Sequence, residues 1–211
     1  MEKEKIISTI IFFNLFILLF SGEIGVAKFT RGNIYVFNRE EREPLKMGDL
    51  LMDSSRVELD RYSIINFVLF DGKNEIEVFG KSEFSICHYE YPDLIFFKTN
   101  PFYGNYLFKS NGKNLQAVVF ETSIISDSSS FFLTVDDSIA NIFVLNGKGV
   151  DIENQYGKVY AKKDQQVIIK PDQNPYFINN LSDFPEIPEG NIIEFEFEND
   201  KNDTIYLQIH Y

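Results

Sequence analysis

The chain has 211 residues, with 20 Lys and Arg against 32 Asp and Glu, for a formal net charge of −12. That balance argues against nucleic acid, which needs a basic patch, and against docking on anionic lipid; the length suits one domain or a domain with an appendage. Cys87 is the single cysteine, so no intramolecular disulfide can form, and 22 Phe and 11 Tyr with no Trp suit an all-β protein.

Residues 1–22 read as a targeting segment. Lys3 and Lys5 form a short basic region, and Ile6 to Phe20 is an apolar core broken only by Ser8, Thr9 and Asn14. This run suits a secretory signal and is short for a membrane span of about 20 residues. Cleavage and retention as an N-terminal anchor both remain open, and both place the rest of the chain outside the cytoplasm. Membrane contact is expected only through this segment, if it is uncleaved. Removing it takes away Glu2, Lys3, Glu4 and Lys5, so the net charge is unchanged.

From Gly25 the pattern is β. Val26, Ile34 and Val36 alternate with polar residues, and Gly32 marks a bend. Arg39 to Glu43 reads as a solvated charged loop ending at Pro44. Ile64 to Phe70 and Ile76 to Val78 flank Asp71-Gly72, which predicts a β-hairpin closed by a type I′ turn. The first of these strands is apolar on both faces and is expected to be central and buried on both sides. The second should keep one wet face.

Residues 88–105 break the pattern with Pro92, Pro101 and Gly104. They predict a long irregular insertion lying over the sheet. Its aromatics, Tyr89, Tyr91, Phe96, Phe97, Phe102 and Tyr103, are either a ligand platform or a cap on the core. Asn111-Gly112 predicts a second hairpin. Phe131 to Val135 and Ile139 to Leu145 read as strands, Asn146-Gly147 as a third turn, and Tyr156-Gly157 as a fourth before Val159 to Ala161; Val167 to Ile169 closes the run. Strand–turn units at this spacing predict a β-sandwich, barrel or β-roll of many short strands, following the N-terminal signal helix. Pro171 to Gly190 reads as a proline-rich linker or wrapped loop. The tail is a last hairpin, with Phe195 and Phe197 on one strand and Ile205, Leu207 and Ile209 on the other. Its apolar face must pack on the main domain or on a partner protein. The domains are therefore 1–22, 23–170 and 171–211.

No catalytic constellation is visible. His88 and His210 sit in no metal-ligand spacing and read as surface or strand-edge residues. HExxH, CxxC, GxGxxG, P-loop and GxSxG motifs do not occur. Ser126 to Ser130 reads as loop composition, and Cys87 as a small buried or half-buried residue. Glu198, Asn199, Asp200, Asn202 and Asp203 form a polar hairpin turn without the Gly and Glu of an EF-hand loop. The sequence thus points to no cofactor, no metal and no enzymatic activity.

The order of several short motifs resembles the FecR domain, a periplasmic β-domain of bacterial envelope proteins. They are Gly32-Asn-Ile34-Tyr-Val36, Leu45 with Gly48-Asp49-Leu50-Leu51, Val57, Ser63, Phe70-Asp71-Gly72, Ile76-Glu-Val78 and Ser82. Phe131 to Val135, Ile142 to Gly147, and Gly157 followed by Gln165 or Gln166 and Val167 continue the match, which covers residues 25–170. The family's Gly-Thr before the Phe-x-Val strand is missing, and Gly147-Lys-Gly149-Val150 is one residue longer than the family's turn. The resemblance implies a FecR-like sandwich or roll, an exported location and no cofactor. Founding members carry a cytoplasmic segment that binds a sigma factor; five residues before the apolar run are too few for one. The expected function is an exported, non-enzymatic binding module of the cell envelope, contacting a protein or a glycan. The alternative is a membrane-anchored envelope-signalling protein of the sigma-regulating type. The expected contact surface is the aromatic set of residues 88–105 together with Tyr206 and His210 of the tail.

Overall fold

The structure, a computed structural model, describes residues 22–38, 41–91, 94–112, 115–178, 192–198 and 204–210. The expected targeting segment and most of the proline-rich stretch lie outside these residues. Among those described, no helix is long and apolar enough to cross a membrane. The described residues are all-β, as their β-branched and aromatic residues at period two require.

Sixteen strands follow in order: β1 (Glu23–Arg31), β2 (Ile34–Asn38), β3 (Glu41–Pro44), β4 (Leu50–Met52), β5 (Ser55–Leu59), β6 (Ile64–Leu69), β7 (Asn74–Tyr91), β8 (Leu94–Ser110), β9 (Leu115–Val119), β10 (Thr122–Asp136), β11 (Ile139–Asn154), β12 (Gly157–Ala161), β13 (Gln166–Ile169), β14 (Tyr176–Phe177), β15 (Ile192–Glu198) and β16 (Thr204–His210). The first fourteen are hydrogen-bonded into one continuous sheet, and among the described residues β15 and β16 form a separate two-stranded sheet.

That sheet folds into two layers because four strands are long enough to belong to both. Register defines the first layer as β4, β1, β6, the opening of β7, the end of β8, the end of β10, the opening of β11, β13 and β14. The second layer is β3, β2, β5, the end of β7, the opening of β8, β9, the opening of β10, the end of β11 and β12. The long strands cross between layers at Gly80, Gly104, Ser128 and Gly147 to Gly149. Each crossing has positive φ: 65°, 121°, 53°, and 94° and 145°. Register breaks fall at or close beside these places, between Phe79 and Phe84 in the β7–β8 pairing and between Ser130 and Phe131 in the β10–β11 pairing, as bulges do where a strand turns a sandwich corner. Strand alternation then sends Ile65, Phe67, Val78, Tyr106, Phe108, Phe131 and Leu133 of one layer and Val36, Val57, Phe84 and Ile86 of the other into a shared buried core. Phe67 of the first layer stacks on Phe84 of the second with ring centroids 5.4 Å apart, and Phe84 meets Tyr106 edge-on at 6.1 Å.

Six sequence expectations are corrected. Residues 88–105 form no irregular insertion: β7 and β8 pair regularly from Tyr91–Leu94 down to Phe84–Pro101. Pro101 is tolerated because it sits beside a bulge that leaves Phe102 unmatched. The Asp71-Gly72 turn is longer than two residues, with only Gly72 at positive φ. Asp71 accepts from the Lys73 and Asn74 amides. The two-residue turn with both φ positive is at Phe120-Glu121, joining β9 to β10. Asn111-Gly112 closes no simple hairpin, since β9 runs parallel to the opening of β8. Asn146-Gly147 is a corner inside β11 rather than a turn between strands. Ser126 to Ser130 is a corner inside β10, where the Ser129 hydroxyl accepts from the Gly149 amide at 2.7 Å and donates to its carbonyl at 2.9 Å. These hydroxyls replace ladder bonds lost at the bend. Finally, Arg39 to Glu43 is not wholly loop: β3 is an exposed edge strand whose charges and Pro44 discourage further pairing.

The hairpins at Tyr156-Gly157 and in the tail form as expected, and Cys87 is half-buried. The strand before Asp71 has one face fully buried and the other covered in part, with Ile64 and Val68 half-buried and Phe70 exposed.

Candidate functional site

The outer face of the second layer carries an unusual series of side chains. Alternation on β2 buries Ile34 and Val36 and leaves Tyr35 and Phe37 on the solvent side. The flanking strands place arginines over both rings. The Arg42 guanidinium of β3 lies 3.6 Å from the Tyr35 ring centre, and that of Arg56 on β5 lies 5.1 Å from Phe37. Arg56 Nε pairs with Glu83 of β7 at 2.7 Å, and Arg42 reaches Glu58 at 3.7 Å. The Glu83 hydrogen bond holds the Arg56 guanidinium more firmly charged.

Tyr103 of β8 extends the series, opposite Glu83 in register. Burial first, and then the Glu83 and Glu58 carboxylates, push its phenol above the ordinary tyrosine range. Lys81 stands over the Tyr103 ring at 5.7 Å. Both residues line an open groove of about 690 Å³ at the corner between layers. The groove's other wall comes from the β10–β11 turn, with Thr134, Asp136, Asp137 and Asn141. The face therefore ends in a concavity with a cation and a phenol on one side and two carboxylates on the other. It can stack planar groups, donate guanidinium hydrogen bonds, and hold a polar group in the groove.

The tyrosine beneath this face is structural. Tyr106 is buried in the core, and its hydroxyl donates to the carbonyls of Glu83 at 2.7 Å and Tyr103 at 2.5 Å. Burial drives its phenol well above the ordinary range. It pins the backbone that presents Glu83 and Tyr103.

Of the sequence-predicted contact residues, Tyr103 is brought into this site. Tyr89 and Phe102 are exposed. Tyr91, Phe96 and Phe97 lie on the β7–β8 ribbon, and Tyr206 and His210 on β16; the side chains of these five lie outside the described residues. His88 is half-buried, its Nδ1 3.4 Å from Asp53 Oδ1. Sequence reasoning missed Tyr35, Phe37, Arg42, Arg56, Glu83 and Lys81. The available signal was two aromatics at alternate positions on the solvent side of a strand. What it lacked was the strand order that sets arginines beside them. Among the described residues, no group of three or more His, Cys, Asp or Glu is placed to hold a metal ion. A smaller hollow of about 250 Å³, lined by Phe120, Glu121, Tyr156 and Asp172, lies near the β11–β12 turn.

No family model matches the chain, and no curated protein matches it. Among solved structures, two crystal structures of a "putative anti-sigma factor" from Parabacteroides distasonis are similar, with TM-scores of 0.49 at 11% identity and 0.46 at 13% identity. Each alignment covers 59% of this chain and 59% of the other, so the likeness spans less than two thirds of either.

Proposed function

We propose that this protein is an exported, non-enzymatic binding module of the bacterial cell envelope, built on a FecR-like β-domain. Its contact surface is the arginine–aromatic face of the second layer together with the corner groove. The observation that carries this reading is the continuous series Arg42–Tyr35 and Phe37–Arg56–Glu83–Tyr103–Lys81, five strands wide. Half-buried aromatics ordered by guanidinium groups offer contact area with little side-chain entropy left to lose on binding. They suit an envelope protein or a glycan, since sugar faces and peptide side chains both stack on aromatic rings. The sequence motifs between Gly32 and Val167 support the FecR-like assignment, and the basic-then-apolar N-terminus supports export.

The test is retention of partners from bacterial envelope extract, and of envelope oligosaccharides, on immobilised residues 22–211. The reading expects a ligand whose retention falls at least tenfold in R56A and in Y103A. No retention, or retention indifferent to both substitutions, would sink it. The anchored signalling alternative rests on the apolar run Ile6 to Phe20. Intact-mass measurement of the N-terminus separates the two, because a mature chain beginning near Glu23 has no membrane relay.

A further inference from the structure

Part of the outer face of the first layer, beside the Asn66, Glu75, Glu77 and Lys109 cluster, is apolar and covered. Leu107 on β8, Phe132 on β10, and Phe143 and Leu145 on β11 are 0%, 7%, 4% and 3% exposed, and Phe79 on β7 is 2% exposed. None belongs to the sandwich core. Alternation explains why. Their neighbours Val78, Tyr106, Phe131, Leu133, Ile142 and Val144 point into that core, so these five sit on the opposite side, where water would otherwise meet them. Register sets them side by side: Leu107 opposes Phe132, and Phe132 opposes Phe143. Across β7, β8, β10 and β11 the patch is roughly 14 Å wide at about 4.8 Å per strand. The residues that take this surface from water belong to the chain itself.

We propose that the C-terminal hairpin β15–β16 is that cover, docked in cis on the outer face of the first layer. Three observations select it. Its register pairs Ile193 with Ile209, Phe195 with Leu207 and Phe197 with Ile205, so six apolar residues share one face while the glutamates of β15 take the other. A lone two-stranded hairpin is at best marginally stable in water and needs such a surface. The chain also leaves the domain at the right place. β14 lies beside β13, which borders β11 in the first layer, and the Ile178 amide donates to the Gln166 carbonyl in the row that contains Phe143. The dozen or so residues of 179–191 can span roughly 40 Å when extended, whereas β11 is about 10 Å from β14.

Thiol labelling in a C87S background tests this. Phe143→Cys, with Leu145→Cys as a second reporter should the first fail to fold, is read against Val144→Cys, which faces the sandwich core. With the hairpin intact, all reporters label slowly. Adding F195D and L207D to the full chain is expected to speed labelling at 143 and 145 at least tenfold and leave 144 shielded. The same substitutions at Glu194 and Gln208, on the opposite face, should change nothing. Four results would overturn the proposal: an unchanged shield at 143 and 145, an equal rise at 144, a shield lost only on deleting residues 1–21, or a shield that falls on dilution, which would mean a second copy.

Discussion

At the residue scale, the clearest electrostatic arrangement lies on the first layer. Asn66 Nδ2 donates to Glu75 at 2.5 Å and Glu77 at 2.8 Å, Lys109 Nζ reaches Glu77 at 2.7 Å and Glu75 at 3.4 Å, and Lys28 lies 3.6 Å from Glu75. Burial alone would raise the Glu75 carboxyl. The Asn66 hydrogen bond and the Lys109 and Lys28 charges outweigh it, and the net direction is down. A carboxyl held below its unfolded value adds stability that is complete above the ordinary glutamate range and is lost as pH falls through the folded value. Urea midpoints measured from pH 6 to pH 3 should therefore decline, and E75Q should flatten the lower part of that decline. An unchanged pH profile in E75Q would remove Glu75 from the account. Lys109 runs the other way: burial would lower it, but Glu77 and Glu75 raise it, so its contribution holds below the ordinary lysine range and fades only at strongly alkaline pH. At Tyr106 the prediction concerns a hydrogen bond. Y106F leaves the Glu83 and Tyr103 carbonyls without that donor and should cost about 1–2 kcal/mol in equilibrium unfolding. Because the same bond positions Glu83 and Tyr103, it should also weaken ligand retention.

At the scale of elements, the corners decide the fold. Gly104 has φ 121°, and a Cβ there would collide with the Ser82 side chain and backbone. Gly72 has φ 65° with nothing within 4 Å. Both glycines follow turn-like sequence, yet only one is boxed in. G104A should cost at least ~2 kcal/mol, combining positive-φ strain and overpacking, whereas G72A should cost only about 1 kcal/mol. Equal costs in urea unfolding would contradict the corner assignment. This contrast also shows what the sequence could reveal. Strand existence followed directly from alternation, so Ile64 to Leu69, Ile76 to Val78, Leu133 to Val135 and Val167 to Ile169 were legible. Continuity was not. Asn146-Gly147 and Ser126 to Ser130 carry the composition of turns because a strand bending between layers needs the same positive φ and the same replacement hydrogen bonds as a turn. The prolines of residues 88–105 misled for a related reason: a bulge removes the need for the amide that Pro101 lacks. The contact surface was legible at Tyr103 alone, since Arg42, Tyr35, Arg56 and Glu83 become neighbours only through the order β3–β2–β5–β7.

At the scale of the whole molecule, the sandwich separates scaffold from display. Phe67, Phe84, Tyr106, Phe108 and Phe131 form a continuous aromatic core through both layers, and F84A should cost about 3–5 kcal/mol by opening a cavity at its centre. The two outer faces have different characters. That of the first layer sets a covered apolar patch beside the Asn66, Glu75, Glu77 and Lys109 cluster. The second layer's is polar, aromatic and arginine-bearing, in a protein whose net charge is −12. Its guanidinium groups are paired with Glu58 and Glu83, so the face offers oriented donors and acceptors rather than a net positive charge, and such complementarity gives specificity more than bulk affinity. The measurement that bears most directly on this account is the affinity of residues 22–211 for a retained envelope ligand, compared between the native chain and the R56A/Y103A double variant, with urea unfolding run in parallel. The account predicts affinity at least tenfold weaker in the variant, with the unfolding midpoint little changed. An unchanged affinity in a fully folded variant would contradict it.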